Sequence, residues 1–446
     1  MTRFLKVAAA ATAAVLALAA CGGGSGDKST TSSGSGGVSA ADVTAALAKG
    51  GNLTVWAWDG TIKDVVTGFQ TKYPNVKVNL VNAGTGDKQY TALQNAVAAG
   101  NGGPDVAQIE YYALSQFALA KSVADISGYG AAGLQSTFTP GPWNAVTVGG
   151  SSVYGLPLDS GPMALFYNKK VFDKYGITVP TTWADYVADA RKLHKADPKV
   201  YMTADTGDAG FTTSMIWQAG GKPYTVSGTN VTINFADPGA AKFAAMWQPM
   251  ITEKLVSSIA PWTDEWFKAL GNGTIASLAT GAWMPGNLAS GAAAGSGNWR
   301  AAPMPQWDAG GTASAENGGS SLGVMDKSAN KALAYAFVKY ASVDEGKDIR
   351  IKGGAFPSTT SDLSSAAFLG TPFPYFGGQK ANEIFAKSAQ SVVPGWTYLP
   401  FQVYANSIFN DTVGKAYVSS TTLADGLKAW QDQSTKYGNE QGFTVK

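Results

Sequence analysis

The chain has 446 residues, 33 basic and 31 acidic, with a single cysteine (Cys21) and a single histidine (His194). That balance argues against nucleic acid and other polyanions, which require a strongly positive field; one cysteine rules out an internal disulfide, and one histidine rules out a zinc centre of the usual Cys/His kind. Charged residues are only 14% while aromatics are 11%, including 13 Trp, a composition suited to an uncharged, ring-shaped ligand, with roughly half of the tryptophans expected in the core.

The N-terminus carries Arg3 and Lys6, an apolar stretch over 7–18, and then Leu18-Ala19-Ala20-Cys21. This is the order of a secretory signal: a charged start, a short apolar segment and small residues at the cut. A cysteine at the cut resembles the lipobox of bacterial lipoproteins, which implies removal of residues 1–20 and a diacylglycerol on the Cys21 thiol, anchoring the protein to a lipid bilayer. Loss of Arg3 and Lys6 takes the basic count from 33 to 31, equal to the 31 acidic residues. Residues 22–37 (GGGSGDKSTTSSGSGG) bury too little apolar surface to offset chain entropy. Residues 21–51 are therefore read as a lipidated tether, although 38–50 could also form a short helix. No later segment is apolar enough to span a membrane.

About 395 residues follow the tether, enough for two lobes rather than one core. Residues 52–58 (NLTVWAW) alternate as a strand, and 62–73 place Val65, Val66 and Phe69 on one helical face before Pro74. A strand over 76–81, a helix over 87–99, a buried strand over 105–109 and a helix over 112–120 follow. This β-α-β-α-β order predicts a largely parallel sheet covered by helices, with ligand beyond the carboxyl ends of the strands. Those ends are Trp58-Asp59, Ala83-Gly84-Thr85 and Glu110-Tyr111.

Residues 154–195 begin YGLPLDSGPMALFYNKKVFDKYG and continue through Pro180, Thr182 and Trp183. Thr182 suits a helix N-cap, with Asp185 three residues on and His194 near the far end in a structural role. This segment resembles a crossover of the family 1 extracellular solute-binding proteins, the carbohydrate-binding relatives of maltodextrin-binding protein. GTIASLATGAWMPGN over 273–287, APMP at 302–305 with GGSSLGV at 318–324, the helix SANKALAYAFVKY and the turn Ala355-Phe356-Pro357-Ser358 extend the resemblance. It implies an α/β, two-lobed periplasmic-binding-protein-like fold of type II joined by a multi-segment hinge. Lobe one would hold 52–158 with 315–358, and lobe two 159–314 with 359–446. It further implies a monomeric, lipid-anchored solute-binding protein of an ABC importer, with an oligosaccharide or glycoside as ligand and the permease transmembrane subunits as partners.

Sugars present apolar C–H faces that stack on aromatic rings and hydroxyls that each need a hydrogen-bond partner. Trp58 and Asp59 offer both, as do Glu110 and Tyr111. Asp159 falls on the hinge floor, and Trp283 on the position where the family stacks a sugar, with Asn287 four residues on. Asp208 and Trp217 fall in a segment resembling a lobe-two contact region, and Trp262 and Trp396 on Gly/Pro loops. Glu316 and Gln402 are further candidates, whereas Trp183, Trp247 and Trp430 lie in helical patterns that suit packing. The Tyr111-Tyr112 pair would also suit ferric iron, but the further anionic ligands cannot be placed; no cofactor, metal or catalytic residue is expected. Gly319-Ser320-Ser321-Leu322-Gly323 matches the serine-hydrolase pattern, yet Ser321 runs into an apolar strand and His194 lies upstream, against that fold's order. A glycosidase would need two carboxylates at catalytic separation; Glu253, Asp264, Glu265 and Glu316 are available, without an evident pair.

Overall fold

The structure is a computed structural model that describes residues 39–148 and 150–446; the signal segment, Cys21 and the Gly/Ser tract lie outside the described residues. The body begins with helix α1 (Ala40–Lys49), closed by a reciprocal capping box between Ser39 and Asp42. Val43, Ala46 and Leu47 share its inner face and pack on the first core. Of the two options for this stretch the helix is the one formed, so residues 40–49 belong to the folded body and not to the tether.

Strand β1 (Gly51–Trp56) pairs in parallel with β2 (Val76–Val81) on one side and β3 (Val106–Glu110) on the other. The intervening helices are α2 (Ile62–Lys72) and α3 (Asp87–Ala99), and α4 (Tyr111–Leu119) follows β3 directly. Strand Ser320–Val324 then joins antiparallel to β3 and pairs with Leu156–Pro157. The predicted parallel arrangement therefore covers the first three strands, and the antiparallel member arrives from a segment two hundred positions later. Ser321 sits in the middle of that strand, fully buried, its hydroxyl donating to the Ile109 carbonyl at 3.0 Å; it is a sheet residue and not a nucleophile elbow.

The second lobe is built on strand Met163–Asn168, flanked antiparallel by Ser277–Gly281 and Trp299–Ala302. Its alternate side chains feed two cores. Met163 and Leu165 join one around Trp183, Trp247 and Trp430; Ala164 and Phe166 join another around Trp266, Trp299 and Phe385. Both faces are covered, which is why this strand is a continuous apolar run. Helix Trp183–Ala196 starts at Thr182, the expected N-cap, and Asp185 closes a reciprocal capping box with it. Seven of the 13 tryptophans are buried (Trp143, Trp183, Trp217, Trp247, Trp266, Trp299 and Trp430), close to the expected half.

The lobe-one core draws on residues 53–158 and 322–341, and the two lobe-two cores on 163–315 and 356–445. The chain therefore passes between lobes near 158–163, 315–322 and 341–356. The first two passages are tied side by side. Glu316 accepts hydrogen bonds from the Ser160 hydroxyl at 2.9 Å and the Gly161 amide at 2.6 Å, and the Asn317 amide donates to the Gly161 carbonyl at 2.8 Å.

Candidate functional site

The ends of β1 and β3, the crossing segments and the loops of lobe two enclose a cleft of about 1190 Å³. That is somewhat above the range of small-molecule sites, about 300–1,000 Å³, and leaves room for more than one sugar-sized ring.

On the lobe-one wall, Gln108 sets the loop after β1. Its carbonyl oxygen accepts from the Trp58 amide at 3.1 Å and the Asp59 amide at 3.0 Å, and its amide nitrogen donates to the Ser320 hydroxyl at 2.9 Å. Ser320 in turn donates through its amide and hydroxyl to Asp159, at 2.6 and 3.1 Å. A buried polar chain thus joins the first strand end to the hinge floor. Asp59 accepts from the Thr61 amide and hydroxyl with one oxygen and from Arg350 at 2.9 Å with the other. Arg350 is 2% exposed and also donates to the Leu158 carbonyl. Burial alone would raise the Asp59 pKa, but the Arg350 guanidinium and the hydrogen bonds from Thr61 outweigh it and hold it below the usual carboxylate range. Asp159 moves the other way: burial and the nearby Asp59 charge raise its pKa against the pull of Arg350. Glu110 accepts from the Tyr90 hydroxyl at 3.0 Å, and Trp58 stands edge-on to the same Tyr90 ring at 6.4 Å.

The lobe-two wall is aromatic. Trp283 lies over the crossing segments, its indole nitrogen donating to the Asn317 carbonyl at 2.7 Å. The approach requires glycine beneath it: a Cβ on Gly281 would fall 2.3 Å from that nitrogen, and one on Gly161 would fall 2.2 Å from the Asn317 carbonyl oxygen. Trp262 leans over Trp283 with ring centres 5.7 Å apart and over Trp266 at 5.3 Å. Trp262 is 52% exposed and adopts φ +67°, an uncommon backbone state for a bulky residue. Asp208 lines the wall as the N-cap of helix Ala209–Gln218, accepting from the Phe211 amide at 2.7 Å. Asn287 donates to the Trp283 carbonyl at 3.3 Å. Behind them Asp205 accepts from the Gly207 amide, the Trp247 indole and the Tyr417 hydroxyl, at 2.9, 2.8 and 2.6 Å. Burial without a cation pushes its pKa up to about 6 despite these donors.

Of the residues singled out from sequence, Trp58, Asp59, Glu110, Asp159, Asp208, Trp262, Trp283 and Asn287 line the cleft. Three do not. Tyr111 is buried, with its hydroxyl on the Asp159 carbonyl, because it opens α4 pointing inward; Tyr112 faces the cleft instead. Trp217 donates to the Val393 carbonyl at 2.6 Å and stacks on Trp396 at 5.1 Å and 7°. Trp396 completes that pair beside Tyr224 and Tyr398. The two rings cover each other's faces, so the loop position of Trp396 does not translate into cleft exposure. Gln402 lines the cleft, while Glu316 is buried in the hinge, where burial raises its pKa to about 7. None of the four carboxylates weighed for a glycosidase faces the cleft, and Glu253 is spent on Arg191 at 2.7 Å. Trp247 does pack as expected, yet its edge reaches the cleft. Asp205, Gln108 and Asn317 were missed; a buried mid-strand Gln and a post-strand Asp carry no periodic signal.

The family profile of bacterial extracellular solute-binding proteins matches residues 56–348. An ABC transporter associated binding protein from B. animalis subsp. lactis Bl-04, solved with beta-1,6-galactobiose, superposes with a TM-score of 0.83 at 44% identity, over 89% of this chain and 99% of that one. The galacto-N-biose-/lacto-N-biose I-binding protein of Bifidobacterium longum, solved with lacto-N-biose, gives 0.77 at 24% identity over 89% and 99%. A lactose-binding protein from Rhizobium radiobacter is 27% identical over 427 residues, 89% of this chain and 96% of its own. The architecture is accordingly the two-lobed, type II periplasmic-binding-protein-like fold, and the chain belongs to the family of bacterial extracellular solute-binding proteins.

Proposed function

We propose that this protein is the solute receptor of an ABC importer and binds an oligosaccharide or glycoside, of the galactose-containing disaccharide class, in the cleft between its lobes. The observation that carries the reading is the pairing of an aromatic platform, Trp283 with Trp262, against a polar wall of Asp59, Glu110 and Asp159. The stacking face and the acceptors match the two handles of a pyranose. The solved relative at 44% identity holds beta-1,6-galactobiose, which supports the same ligand class here. The contact set is Trp283, Trp262, Trp58, Asp59, Glu110, Asp159, Asp208 and Asn287. Ligand touching both walls favours the closed form, which then presents both lobes to permease subunits on separate chains. Lobe one would comprise residues 40–158 with 322–349, and lobe two 163–315 with 356–446, the stretches between them crossing from one to the other. Cys21, acylated, would hold a monomer at the extracellular face of the cytoplasmic membrane; no helix among the described residues is long and apolar enough to cross it.

The test is thermal unfolding of residues 39–446 against a panel of neutral di- and oligosaccharides, with amino acids and ferric iron as controls. A ligand at 100 times its Kd adds about 2.7 kcal/mol to native stability. A saturable shift with a galactoside and no product on long incubation is expected. A shift only with an amino acid or iron would remove sugar as the ligand, and sugar cleavage would make the protein an enzyme.

A further inference from the structure

Formal charge over the whole chain is close to balanced, 33 basic against 31 acidic residues, but charge along the cleft is not. Among the described residues that line it, every ionisable side chain other than tyrosine is a carboxylate: Asp59, Asp64, Glu110, Asp159, Asp205 and Asp208. No lysine, arginine or histidine is among them. The guanidinium nearest the floor, Arg350, lies behind the lining. It is committed to Asp59 and the Leu158 carbonyl, so it compensates one carboxylate and offers nothing to a ligand. Asp64, in the first turn of α2, and Asp208 are the carboxylates most exposed to the cleft space. The same walls carry the Trp283 and Trp262 rings, whose faces are electron-rich and add to the negative potential. Like charges held in a concave, poorly hydrated space repel an incoming anion more strongly than charges on an open surface, because field lines are focused between low-dielectric walls.

We infer that this cleft selects its saccharide by charge: it admits neutral and amine-bearing glycosides and rejects those carrying a carboxylate, sulfate or phosphate. The inference rests on the sugar-binding reading above and narrows it. Selectivity arises from an unfavourable term built against the wrong ligand, and not only from contacts to the right one. Uronic-acid saccharides, which offer nearly the same stacking face and hydroxyl pattern as neutral ones, are thereby separated by the acidic lining alone.

The experiment is calorimetric titration of the intact protein with three probes: β-1,6-galactobiose, the same disaccharide oxidised at its free C6 to a uronic acid, and its 2-amino-2-deoxy analogue. At low salt the uronate is expected to bind on the order of a hundredfold more weakly than the neutral sugar, and the amine at least as tightly as the neutral sugar. Raising ionic strength to about 0.5 M should shrink the uronate penalty several-fold, since the Debye length falls to a few ångström. Asp64→Asn should narrow the neutral-to-uronate ratio roughly two- to fivefold. Equal binding of neutral sugar and uronate overturns the inference while leaving sugar binding intact. An amine analogue that loses as much as the uronate overturns it too, because substituent size and not charge would then be read. Failure of all three probes sinks the sugar reading and this inference with it.

Discussion

Asp59 and Asp205 face the same cleft from opposite walls, and their surroundings treat a carboxylate in opposite ways. Asp59 faces a buried guanidinium and is held ionised below its usual range. Asp205 faces only neutral donors, from Trp247, Tyr417 and Gly207, and its pKa climbs to about 6. The lobe-one wall is thus an electrostatic construction and the lobe-two wall an aromatic one with a carboxylate embedded in it. The difference teaches that a carboxylate in a binding cleft is not defined by position: one oxygen shared with a cation and one buried among rings titrate in different pH windows.

Removing the cation should break the comparison hardest. Arg350→Met leaves Asp59 buried and unpaired, a change expected to cost about 3–5 kcal/mol. Urea unfolding at pH 7 checks it, and a loss under 1 kcal/mol would mean the pair is not held as described. The sign with pH also follows. Because the Asp59 pKa is lowered on folding, its stabilisation is present above the unfolded value and is lost as pH falls through the folded one, below about 4.

Asp205 runs the other way. Its pKa is raised on folding, so folding takes up a proton, and the associated stability is lost as pH rises from about 4 through about 6. Asp205→Asn keeps the shape and removes the titration. Relative to the wild type, the variant should gain about 2–3 kcal/mol between pH 4 and pH 8. Parallel pH-stability curves for the two proteins would show that Asp205 is not buried as a charge.

The smallest expected effect separates the tryptophans. Trp283→Ala should weaken the cognate sugar roughly ten- to thirtyfold with a modest change in Tm, the loss of one stacking platform. Trp217→Ala should leave affinity within about twofold while costing stability as a core deletion. If Trp217→Ala instead abolished binding without unfolding the protein, the division between platform and core would have to be redrawn.

Local elements were legible because period and punctuation state them plainly. The apolar faces of 62–73 and 87–99 and the box Thr182…Asp185 appear as helices within a residue or two, and 76–81 is a strand at the same bounds. Motif resemblance carried the two-lobed plan and singled out Trp283 and Asp159, both of which line the cleft. The misplacements share one cause. Tyr111 and Tyr112 are adjacent, and a helix turns consecutive side chains by about 100°, so only the packing of α4 decides which ring is buried. Trp217 and Trp396 lie far apart in the chain and bury each other, a pairing that no local pattern records. The helix over 40–49 sat beside a tether-like tract, and its docking through Val43, Ala46 and Leu47 on the helix Lys331–Ser342 decided its fate.

By itself, then, the sequence determined the elements, their order and the family-wide cleft, since these follow from short-range periodicity, caps and motifs. Tertiary structure alone decided which rings and carboxylates meet in the cleft. Arg350 reaches Asp59 across 291 positions and Gln108 reaches Ser320 across 212. Contacts of that span are set by how two lobes and three crossing segments pack, and the charge of the cleft is a property of that packing.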